Sequence, residues 1–123
     1  MPHVVLESPD DREGRAILDA FGDRFELFLD RDGERIVKVD RFYRERGGGQ
    51  ALIETVVVDR GFTQKFFIQV ASRGRNVTVR LEPLSDPEKT AGVRAALARV
   101  AERIVAVTGC AWGATNIAGD LRR

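Results

Sequence analysis

The chain has 123 residues, 43% of them apolar and 32% charged, with a formal net charge of +1 and one cysteine. That fits one domain with a core of its own, and it excludes an internal disulfide framework. No apolar run reaches the length of a membrane span, no basic-then-apolar leader opens the chain, and the lone Cys110 suits a reducing compartment, so a cytoplasmic setting is expected.

In chain order, His3 to Glu7 can add a short edge strand ahead of a helix expected over 9–21. Ser8 can cap that helix, Pro9 suits its first position, and Asp10 and Asp11 complement the positive end of its dipole. Ile17, Leu18 and Phe21 form its apolar face, Gly14 weakens it, and Gly22 can end it in the left-handed region.

From Phe25 to Leu84 the apolar period becomes two. Strands are expected at about 24–30, 35–43, 50–59, 63–71 and 76–83, rich in Val, Ile, Phe and Thr. Asp32-Gly33, Gly47-Gly48-Gly49, Arg60-Gly61 and Arg73-Gly74 separate them, each offering the positive φ that a tight hairpin needs. The triple glycine joins two strands and no Lys-Ser or Lys-Thr follows it, so it is a hairpin tip and not a phosphate loop.

Ser85 and Glu88 have capping-box spacing ahead of a long helix at about 86–108, whose stripe is Val93, Leu97, Val100, Ile104 and Val107. Gly109 ends it, and Trp112, Ile117 and Leu121 can anchor the tail 109–123. The fold expected is α+β: a single domain over 1–123, a five-stranded antiparallel meander with a short N-terminal helix and a long C-terminal helix packed across one sheet face.

Strand alternation then divides the sheet. Phe25, Leu27 and Leu29, with Phe66, Ile68, Val70 and Val77, Val79, Leu81, form the expected core face. The other face would carry Phe28, Phe67, Lys65 and Arg80, and the third strand is apolar on both sides. An apolar face of this size marks an interaction site. Its occupant could be the N-terminal helix, a second subunit, or a stacked nucleic acid held by a cationic rim.

Charge is unevenly spread. Residues 1–30 hold three basic and eight acidic side chains, whereas 31–80 hold eleven and six. Either the basic middle binds a polyanion, through Arg41, Arg44, Arg46, Arg73 and Arg75, or the acidic segment packs against it.

Chemistry for catalysis is thin. One His and one Cys form no metal motif, and Cys110 would need His3 as its base. Glu54, on a mostly apolar strand, is the one candidate buried acid; Lys38, Arg41 or Lys65 could pair with it. No catalytic residue, cofactor or metal is implied. The sequence points to a non-catalytic interaction domain, a homodimer through the uncovered face, with single-stranded nucleic acid and a small apolar ligand as the other partners to weigh. In element order alone the chain resembles helix-grip domains, which hold apolar ligands between a sheet and a long C-terminal helix. It is similar in the same way to dimeric strand-rich modules that bind single-stranded nucleic acid, and it carries no motif of either group.

Overall fold

The structure, a computed structural model, describes residues 1–122. Its elements are β1 (His3–Glu7), α1 (Gly14–Asp23), β2 (Phe28–Asp32), β3 (Arg35–Arg44), β4 (Gln50–Asp59), β5 (Phe62–Arg73), β6 (Asn76–Leu81), α2 (Ala91–Thr108), β7 (Ala111–Thr115) and a 3-10 turn, Ala118–Asp120. The fold is mixed α/β with one antiparallel sheet, in the order β2-β3-β4-β5-β6-β1-β7.

The sheet therefore has seven strands, not five. The meander is present as β2 to β6, with Gly33, Gly48, Gly61 and Gly74 all at positive φ in its turns. The two added strands come from the chain ends. β1 is inserted between β6 and β7, with Val4 opposite Val79 and Leu6 opposite Val77. Part of the expected tail is thus a strand, and a short 3-10 helix follows it. Val4 and Leu6 are fully buried, which is what holds a five-residue strand in place.

Both helices lie on the same face of the sheet. α1 packs against β4, β5, β6 and the flank of α2 through buried Ile17, Leu18 and Phe21. It does not cover the second face. It begins at Gly14 rather than Pro9, because Ser8, Asp10 and Arg12 close a hydrogen-bonded turn among themselves. Gly14 donates its N–H to the Gly74 carbonyl at 2.8 Å, and a Cβ there would press on the Asn76 carbonyl and sit 3.0 Å from Ser72 Cβ. The glycine that reads as a helix weakener is what lets the helix start touch the β5–β6 hairpin. Gly22 lies inside the helix, and its φ is not positive.

α2 begins at Ala91. Its cap is Thr90, whose hydroxyl accepts from Val93 N at 3.2 Å, not Ser85. Ser85 is spent on the sheet, donating to the Glu82 carbonyl and accepting from Phe67 N. Gly109 closes the helix in the left-handed region as expected, with φ of 77°. Val93, Leu97, Val100 and Ile104 share one buried core with Val37, Val39, Ile53 and Ile68, all at 0–1% exposure. No helix is long and apolar enough to cross a membrane among the described residues.

The core triplet expected on the second strand is overturned. Phe25 lies in the turn after α1, edge-on to Phe21 and tilted against Phe42, and Leu27 and Leu29 are 64% and 58% exposed. β2 starts at Phe28, which pairs with Val39 and so shares its helix-covered side. A one-residue slip in register moves every side chain to the opposite face.

Candidate functional site

Among the described residues, no element lies over the face away from the helices. Cross-strand register gives its grid. Tyr43, Leu52, Gln69 and Arg80 form one row; Arg41, Glu54 and Phe67 the next; Lys38, Val56 and Lys65 the third; Ile36, Val58 and Thr63 the last. Leu52, Val56, Val58, Ile36 and Phe67 are half-buried and Tyr43 is exposed.

Aromatic side chains meet at its centre. Tyr43 and Phe67 lie on diagonal positions of β3 and β5, with ring centroids 6.4 Å apart in an edge-on arrangement. The sequence supplies Phe67 but not this pair. Between Val39 and Arg41 the β3–β4 register shifts at a bulge, and this sets which of the residues after it face outward. Phe42 then points to the core and Tyr43 to the open face.

Glu54 sits beneath this pair. Its carboxylate is 2.9 Å from Lys65 Nζ and accepts a hydrogen bond from the Tyr43 hydroxyl at 3.2 Å. The Lys65 contact holds the Glu54 carboxyl below its ordinary range, against the cost of partial burial, with Tyr43 and Arg41 assisting. Lys65 is raised in turn by Glu54. Arg41 is raised by Tyr43 first, then by Asp40 and Glu54. A carboxylate so held is a poor proton acceptor near neutrality, so the cluster is an ion-pair network. Beside it runs a polar ladder in which Arg80 donates to Gln69 at 2.6 Å and Gln69 to Gln50 at 2.5 Å.

Of the four residues expected on this face, Phe67, Lys65 and Arg80 are there. Phe28 is not: it lies on the helix side, with the Arg103 guanidinium 5.0 Å above its ring. The expected polyanion contacts are dispersed. Arg44 reaches Asp19 of α1 at 2.7 Å and donates to the Gly48 carbonyl, so it ties the glycine tip to the helix. Arg75 meets Asp11 at 3.1 Å. Arg46 and Arg73 are exposed near the same end of the sheet, and Arg41 belongs to the open face.

Cys110 and His3 are at opposite ends of the β1–β7 pair, since Ala111 lies opposite Glu7. Four residues of strand put them roughly 13 Å apart, beyond any nucleophile–base contact. Cys110 is buried and accepts from the Thr108 hydroxyl at 3.1 Å. Among the described residues no three His, Cys, Asp or Glu side chains are grouped to hold a metal. Compared with known proteins, the chain matches no family model, no curated protein and no solved structure.

Proposed function

We propose that the protein is a non-catalytic interaction domain that pairs with a second copy of itself through the uncovered face of the sheet. One observation carries the reading: the three longest strands, β3 to β5, present Ile36, Tyr43, Leu52, Val56, Val58 and Phe67 on a side with no helix over it. A strand buried on one face alone has no need of apolar residues on the other. Lys38, Arg41 and Lys65 stand among Asp40 and Glu54 on the same strands, so two such faces can match opposite charges about a two-fold axis. The single thiol, Cys110, accords with a cytoplasmic setting.

Sedimentation of the wild type and of Phe67→Glu tests this. The wild type is expected to sediment as a dimer at micromolar concentration, and the variant as a folded monomer with an unchanged circular dichroism spectrum. A wild type that stays monomeric up to millimolar concentration overturns the reading.

A further inference from the structure

β2 ends the sheet and pairs only with β3. Its register places Leu29 opposite Lys38, which itself lies opposite Val56, and Arg31 opposite Ile36. Leu29 and Arg31 therefore lengthen two rows of the open face by one strand. Leu29 is 58% exposed, and Leu27, two residues before it, is 64% exposed. An edge strand that leaves apolar side chains in water is a template for another chain unless something covers it.

The size of the open face says what must cover them. Strands about 4.8 Å apart make β3 to β5 a strip roughly 14 Å wide. A stable pair buries about 800 Å² on each partner, a round patch on the order of 30 Å across. A pairing surface centred on this strip therefore has to widen past one of its flanks. Beyond β5, β6 offers Asn76, Thr78 and Arg80, and Arg80 already donates to Gln69 at 2.6 Å. Beyond β3 stand Leu27 and Leu29, and the Lys38 stem between Leu29 and Val56 carries apolar surface across to them. Covering leucines is favourable, whereas covering amide, hydroxyl and guanidinium groups without new partners is costly.

We infer that the pairing surface runs past β3 onto the edge strand β2, and that a second copy of this chain buries Leu27 and Leu29. This extension rests on the proposal that the open face pairs with its own copy, and it fixes the direction in which that interface grows.

Sedimentation equilibrium of the wild type, Leu29→Glu, Leu29→Met, Leu84→Glu and Phe67→Glu tests it, with circular dichroism to check that each variant is folded. Leu84, 94% exposed, marks the opposite flank, in the loop whose Ser85 accepts from Phe67 N of β5. Leu29→Glu should raise the dissociation constant of the pair at least tenfold, as expected of an apolar anchor that is fully covered. Leu29→Met should restore it to within about twofold of the wild type, and Leu84→Glu should change it no more than that. If Phe67→Glu is a monomer and Leu29→Glu pairs like the wild type, the extension onto β2 fails and the pairing through the open face stands. If Leu84→Glu weakens the pair more than Leu29→Glu does, the interface grows across the other flank, and the extension fails again. A monomeric wild type, or a Phe67→Glu variant that pairs normally, overturns the pairing itself and the extension with it.

Discussion

Glu54 shows how much a single position discloses in the sequence. An acid on the run Ala51-Leu52-Ile53-Glu54-Thr55-Val56 must find a cation, and Lys65 across the β4–β5 pair is that cation. The second partner, Tyr43, could not be read, because the bulge that turns it outward has no marker in the residues around Asp40. The arrangement makes a pH prediction. A carboxyl whose folded pKa is depressed adds stability that is complete above the ordinary glutamate value of about 4.3, and loses it as pH falls through the lowered value. Glu54→Gln should therefore lower stability at neutral pH and leave it almost unchanged well below pH 4. Urea unfolding between pH 7 and pH 3 checks this. A wild type and variant that differ by the same amount at every pH would mean that the carboxylate's charge plays no part.

Among the elements, the hairpins were legible because each turn needs a glycine at positive φ, a local requirement visible in four short stretches. The strands at the chain ends were harder to place, since β1 and β7 are held by partners about 70 and 110 residues away in sequence. The start of α2 misled for a different reason. Ser85 and Glu88 have capping-box spacing, but Ser85 serves the β5 backbone and Glu88 is bound at its own backbone by Gln64. Thr90 does the capping, and it also donates to Asp59 at 2.6 Å. Gly92 follows because a Cβ there would come within 2.5 Å of Val57 Cγ1. Thr90→Ala should cost about 1–2 kcal/mol, at the upper end for a cap because Asp59 loses a donor as well. It should also speed hydrogen exchange at Val93. Ser85→Ala should leave Val93 exchange unaltered; equal acceleration in both variants would place the helix start back at Ser85.

Across the whole molecule, the charge asymmetry of the chain becomes intramolecular pairing. Asp11 and Asp19 of the acidic N-terminal segment meet Arg75 and Arg44 of the basic middle, and Asp30 meets Arg122. Exposed pairs of this kind add little stability, but they remove cations from a would-be polyanion surface. Two of the five arginines that the sequence offered to phosphates are neutralised in this way, and Lys65 is committed to Glu54. The competing arrangement is the aromatic pair Tyr43–Phe67 with Arg41 and Lys38 near it, a pattern on which bases could stack. Under the dimer reading that pair is buried between copies. A labelled single-stranded oligonucleotide at low salt should then show no saturable rise in anisotropy with the wild type, nor with the Phe67→Glu monomer. Saturable binding that falls steeply with added salt, and is lost on Arg41→Glu, would instead assign the face to nucleic acid, because phosphate contacts release counterions and copy-to-copy packing of apolar side chains does not.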